Sequence, residues 1–93
     1  MSYVVFRAKV ADYDTWKQVF DEDATDRKSG GSEGGQLFRD ASDPNLVFIL
    51  FKWDLDKARE YGQSQHLQKK MQEAGVTEAP DIFFMEEVGQ LSS

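Results

Sequence analysis

Asp23 and Arg27 are the pair in this chain whose types and spacing could do chemistry together. They stand four residues apart, so on a helix the carboxylate and the guanidinium reach each other. At 100° per residue they also fall on the stripe formed by Tyr13, Trp16, Phe20 and Ala24, the face that a core-facing helix buries. An acid and a cation at the mouth of a cavity between helix and sheet could orient an enol, a carbonyl or a phenolate. The plainer reading is a helix end that drifts out over the sheet edge and leaves a solvated ion pair, since Asp and Arg are seldom buried. His66, the only histidine, is the third catalytic candidate. In the first turn of a short helix the dipole disfavours the imidazolium, which leaves a neutral ring able to exchange protons. Its place beside Leu67, off the Leu67, Met71, Ala74 stripe, describes a half-exposed surface residue equally well.

Arg7 interrupts an apolar first strand on the side shared with Tyr3 and Val5, either as a ligand-facing guanidinium or as a solvated sheet end. Arg39 is open to the same two readings. Tyr13, Trp16, Phe20, Trp53 and Tyr61 could line a pocket for an apolar or aromatic ligand, or be simple core. With no cysteine and one histidine, thiolate chemistry and zinc–sulfur sites are excluded, and no spacing suggests a metal site. The stretch SGGSEGG, Ser29 to Gly35, lacks the glycine spacing of a phosphate-binding loop and follows a helix instead of opening one. It reads as a plain loop.

These residues need elements to position them. Tyr3 to Val10 is rich in β-branched and aromatic residues and reads as a strand. Asp12 caps a helix from Tyr13 to about Ser29, stopped by Gly30-Gly31. Gln36 to Ala41 and Leu46 to Trp53 are strands joined by the turn Ser42-Asp43-Pro44-Asn45. Asp54 caps a second helix, Ser64 caps a short further one ended by Gly75, and Pro80 opens a last strand, Asp81 to Val88. The order β-α-β-β-α-β is the ferredoxin-like α+β pattern, a single domain over residues 1–93 with both helical segments on one face of a four-stranded antiparallel sheet.

The run Leu46 to Trp53, LVFILFKW, is apolar on both sides, whereas a strand with one wet face should alternate. The last and first strands repeat this. Such a face exceeds what soluble monomers expose, so a second copy is expected to cover it. With 17 acidic and 11 basic residues the net charge is −6, which disfavours nucleic acid and anionic membranes as partners. No stretch has membrane-span length or signal-peptide form, and a cytoplasmic setting is the default.

With the elements in place, the chain resembles the dimeric α+β barrel superfamily, in particular its antibiotic-biosynthesis monooxygenase-like and polyketide-cyclase-like members. The resemblance is carried by Asp12-Tyr13-Asp14 with Trp16 opening the first helix, by the apolar strand closing on Trp53-Asp54, and by the Ser64 restart ending in Ala74-Gly75-Val76. It implies a homodimer in which two sheets close a barrel, with no cofactor required and a ligand between helices and sheet. The haem-degrading branch uses an Asn in the first strand and a Trp and a His on the second helix. Here Arg7, Gly62 and Met71 stand near those places, which disfavours that activity.

Two readings follow. One is a cofactor-independent monooxygenase or cyclase acting on an apolar or aromatic, polyketide-like substrate, with Asp23, Arg27 and His66 catalytic and Arg7, Tyr13, Trp16, Phe20, Trp53 and Tyr61 binding. The other is a non-catalytic ligand-binding or stress-related dimer. An open pocket of roughly 300 Å³ or more with converging polar groups favours the first, and a packed interior the second.

Overall fold

A computed structural model describes residues 1–93. The strands are β1 (Ser2–Lys9), β2 (Ser32–Arg39), β3 (Leu46–Trp53) and β4 (Asp81–Glu86), and the helices α1 (Tyr13–Glu22), α2 (Ala24–Ser29), α3 (Leu55–Gly62) and α4 (Gln65–Glu73). One antiparallel sheet has the order β2-β3-β1-β4, the ferredoxin-like α+β arrangement.

Local chemistry starts three of the four helices where expected. The Asp12 carboxylate accepts from the Thr15 amide at 3.0 Å, Asp54 from Lys57 at 3.1 Å, and the Ser64 hydroxyl from Leu67 at 3.2 Å, each satisfying an otherwise orphaned amide. Gly75, at φ +77°, follows α4 and supplies the left-handed turn that ends it. No helix is long and apolar enough to cross a membrane.

Register fixes which side chains share a face. Val4 opposes Phe51, Phe6 opposes Ile49 and Ala8 opposes Val47 in the β1–β3 ladder, while Phe84 and Ile82 of β4 oppose Val4 and Phe6. This is the helix-covered face. Val47, Ile49, Phe51 and Trp53 are all buried on it, in one core with Trp16, Ala58 and Ala74.

Two expected boundaries move by more than two residues. The single helix to Ser29 turns at Asp23, whose ψ is 0°, so α1 and α2 are distinct. The Asp23 side chain caps neither helix, being bonded to two side chains described below. The glycine-rich stretch is not all loop: Ser32 to Gly35 belongs to β2, with a register shift between Ser32 and Gly35. A Cβ at Gly35 would stand 1.8 Å from the Leu50 carbonyl oxygen, so only glycine lets β2 pass this close to β3.

Candidate functional site

The turn at Asp23 aims its carboxylate inward, and Asp23 is the one buried charged residue, 4% exposed. A solvated ion pair is therefore the wrong picture. The Tyr61 hydroxyl, from α3, donates to its Oδ2 at 2.5 Å, and the His66 Nε2, from α4, lies 2.6 Å from its Oδ1. A carboxylate only accepts, so this ring nitrogen carries the proton and Nδ1 is left for exchange when the ring is neutral. His66 is 40% exposed in its side chain, half-exposed as the sequence suggested, yet tied to the buried acid. The helix restart at Ser64 brings it there, because the Ser64 cap sets the first turn of α4 against α2.

Arg27 completes the group. Its guanidinium lies 3.9 Å from Asp23 Oδ2, donates to the Phe20 carbonyl oxygen at 2.6 Å, and covers the Phe20 ring at 3.7 Å from the centroid. Burial pulls its pKa below the ordinary arginine value, with Asp23 and Tyr61 opposing the shift. The group starts so high that it stays a cation at neutral pH. Burial, then the bond to Asp23, pushes the Tyr61 phenol well above the usual tyrosine range. Tyr61 is thereby kept as a neutral donor.

This group stands at the wall of an apolar cavity between the helices and the sheet. Nineteen residues line it and fifteen are hydrophobic; Asp23, Arg27, Lys70 and Gly62 are the others. Its volume is about 90 Å³. That is about three waters' share of liquid, and less than the roughly 150 Å³ of an apolar cavity that admits benzene. Its lining suits an apolar ligand. Trp16 and Phe20 stack at 4.8 Å and 18°, Phe51 meets Trp53 edge-on at 5.3 Å, and Tyr61 lies 5.2 Å from Trp53. The Gly30 carbonyl, outside the lining, accepts from Trp53 Nε1 at 3.0 Å and fixes the indole.

Of the residues nominated from sequence, Asp23, Arg27, Trp16, Phe20, Trp53 and Tyr61 line this cavity, and His66 stands behind Asp23. Two lie apart from it. Arg7 projects from the opposite face of the sheet, where it pairs with Asp81 at 2.9 Å and lies 5.9 Å from the Phe48 ring centroid; strand alternation put it with Tyr3 and Val5 and away from the helices. Tyr13 lies outside the lining, under the Arg39 guanidinium at 4.4 Å.

The sequence reading missed two residues. Lys70 lines the cavity and pairs with Glu73 at 3.4 Å; its spacing of three from Leu67 and four from Ala74 was the available signal. Asp26 brings a carboxylate to 3.4 Å from His66 Nε2. Asp23, Asp26 and His66 thus place three ligand-type atoms within 4.8 Å of one another. A cation there would have to displace the His66–Asp23 bond and tolerate Arg27, so the arrangement suits proton exchange better than metal binding.

No family model matches the chain, and no characterised protein matches it by sequence. Solved structures do match it by shape. SnoaB of Streptomyces nogalater, a cofactor-independent oxygenase, superposes with a TM-score of 0.78 at 18% identity, over 99% of this chain and 97% of that one. A candidate antibiotic biosynthesis monooxygenase of Bordetella bronchiseptica gives 0.79 at 15% identity, over 94% and 96%. One from Caulobacter crescentus gives 0.72 at 21% identity, over 95% and 90%. The chain therefore has the ferredoxin-like α+β fold of the antibiotic biosynthesis monooxygenases.

Proposed function

We propose that this protein is a homodimeric, cofactor-independent oxygenase of small phenolic, apolar substrates. The observation that carries the reading is the Asp23–Tyr61–Arg27 group, backed by His66, set into the wall of a mostly apolar cavity. Arg27 would hold the substrate as its phenolate, the form that gives an electron to dioxygen. The phenol proton would pass by the Tyr61 hydroxyl to Asp23; the exposed His66 ring, once it exchanges through solvent to the tautomer with Nε2 free, would then take that proton and release its Nδ1 proton to solvent. Carbon–oxygen bond formation gives a hydroperoxide at a ring carbon bearing hydrogen. Loss of that hydrogen and of hydroxide as water leaves a quinone. For naphthol the balance is one O₂ consumed, one naphthoquinone and one water formed, with dioxygen the only oxidant. A cyclase would use the same Asp23–His66 pair without consuming oxygen. The shared fold with SnoaB, a cofactor-independent oxygenase, is what inclines the reading to the oxygenase.

The dimer is supported by the sheet face opposite the helices. Phe38, Phe83 and Met85 are 53%, 55% and 37% exposed there, beside the half-exposed Val5, Phe48 and Leu50. A second copy placed face to face would cover them and close a barrel.

The volume of about 90 Å³ favours a second reading, a non-catalytic small-ligand or scaffold protein. An oxygen electrode decides between them. With naphthol as substrate, uptake above the buffer rate should match naphthoquinone formed, and should fall at least tenfold in Arg27→Gln and Asp23→Asn. Uptake equal to buffer, or equal in both variants and the native chain, would sink the oxygenase.

A further inference from the structure

Cysteine is absent, so the side chains here that give up an electron most readily are indoles and phenols. Both tryptophans and two of the three tyrosines stand in one file of rings. Centre to centre, Tyr13 lies 5.9 Å from Trp16, Trp16 4.8 Å from Phe20, Phe20 6.4 Å from Phe51, Phe51 5.3 Å from Trp53, and Trp53 5.2 Å from Tyr61. Electron tunnelling weakens steeply with distance, so rings this close pass an electron along where separated rings do not. The two ends of the file differ. At one, the Arg39 guanidinium lies 4.4 Å from the centre of the Tyr13 ring, and a cation against a ring opposes taking an electron from it. At the other, the Tyr61 hydroxyl is bonded at 2.5 Å to the buried Asp23 carboxylate, a base already in place for the proton that an oxidised phenol sheds. Arg27 faces the same carboxylate at 3.9 Å but gives its hydrogen bond to the Phe20 carbonyl. Trp53 has no such base. Its Nε1 donates to the Gly30 carbonyl, which does not take the proton, so an oxidised Trp53 keeps its positive charge and draws an electron from its neighbour.

We propose that Tyr61 is a redox residue, the place where oxidising equivalents entering the aromatic core come to rest, with Asp23 as its proton acceptor. The step is a one-electron exchange. The Trp53 cation radical takes one electron from Tyr61 and returns to neutral indole; the Tyr61 hydroxyl proton moves to Asp23 Oδ2, leaving a neutral phenoxyl radical beside a neutral carboxylic acid. The oxidant that first ionises Trp53 is an oxygen-centred radical in the cavity that Trp53 and Tyr61 both line, of the kind a hydroperoxide gives when its O–O bond breaks evenly. That radical gains the electron and a solvent proton and ends as an alcohol or as water. Restoring the phenol needs an electron from outside. Tyr61 is half-buried where both tryptophans are buried, so a small thiol or enediol in solvent supplies that electron, and Asp23 returns the proton. The relay drains damaging radicals from the core. It goes beyond the oxygenase reading, because any one-electron oxidant of the core feeds it.

The test is laser flash photolysis of the chain with no substrate present. Intense pulses at the red edge of indole absorption, where phenols are transparent, ionise both tryptophans despite their burial, and hexaamminecobalt(III) removes the ejected electrons. The green-absorbing indole radical should then decay as a violet-absorbing phenoxyl band grows, at a rate independent of protein concentration. Tyr61→Phe should lose that growth, while Tyr3→Phe and Tyr13→Phe should keep it. Trp53→Phe, which takes away the neighbouring donor ring, and Asp23→Asn, which keeps a hydrogen-bonding side chain but no base, should each slow it about tenfold or more. Tyr61→Phe removes a single hydroxyl and carries the test should the core variants not fold. No phenoxyl in the native chain overturns the proposal, as does growth that survives in Tyr61→Phe, that runs at the native rate in Asp23→Asn or Trp53→Phe, or that scales with protein concentration. The outcome is separate from that of the oxygen electrode: the expected pattern without oxygen uptake sinks the oxygenase and leaves the relay, and uptake without a phenoxyl does the reverse.

Discussion

The two faces of the sheet come from the same strands and handle charge in opposite ways. On the helix side, β3 buries Val47, Ile49, Phe51 and Trp53, and Tyr61, His66 and Arg27 reach in from the helices around one carboxylate. On the other side, Leu46, Phe48, Leu50 and Lys52 are only half-covered, and the charges are scattered as exposed pairs, Arg7 with Asp81 and Lys9 with Asp43. Apolar content does not distinguish the faces; enclosure does. Where the chain's own helices close over the sheet, a charge must be bonded on several sides to persist. Where they do not, charge costs little and contributes little.

The sharpest way to break this contrast is Asp23→Ala. It removes the shared acceptor of Tyr61 and His66 and strands Arg27 beside a cavity. The expected loss is about 3–5 kcal/mol of folding stability, the cost of breaking a buried charge group from one side. Urea denaturation would measure it, and a loss below about 1 kcal/mol, the worth of a surface pair, would mean that Asp23 behaves like a surface residue.

Next in size is Phe83→Asp on the open face. If a second copy covers that face, a charge in its apolar centre should weaken the dimer by about 2 kcal/mol or more, roughly thirtyfold in dissociation constant. Sedimentation at micromolar concentration should then show monomer where the native chain is dimeric. A native chain that is already monomeric would remove the assembly reading.

How these faces divide was largely legible in the sequence, and the centre of the site was not. The doubly apolar LVFILFKW and the caps Asp12, Asp54 and Ser64 are local signals, and each element they imply is present. Strand parity likewise carried the side on which Arg7 would fall. Spacing showed that Asp23 can meet Arg27, but burial of Asp23 depends on Tyr61 and His66, 38 and 43 residues away, and no local period reports such an encounter. The same holds for Gly35. Its role is a close approach to Leu50, a property of the ladder and not of the turn-like string around it.

Tyr61 tests the enclosed face by pH. Its phenol holds its proton more tightly folded than unfolded, so its contribution is complete below the unfolded value near 10 and is lost as pH rises through the higher folded value. In ultraviolet titration the native chain should show a phenolate step above the ordinary range that is missing from Tyr61→Phe. At neutral pH that variant should lose about 1–2 kcal/mol through the donor taken from Asp23. A spectrum without the late step would mean that Asp23 and burial do not hold this proton.

Arg7→Ala should have the smallest effect, and its form discriminates best. The Arg7–Asp81 pair is short, 2.9 Å, but its side chains are 45% and 54% exposed, so in a lone chain the loss should stay within about 0.5 kcal/mol and shrink with salt. A covering second copy would change the solvent around the pair without changing its partners. Truncating Arg7 would then leave Asp81 unpaired in a drier interface, and the cost would appear in assembly instead of in the fold. Denaturation at two protein concentrations separates these cases. A small loss that is equal at both belongs to an open face, whereas a loss that grows with protein concentration, as the native chain assembles and the variant lags behind, belongs to a covered one.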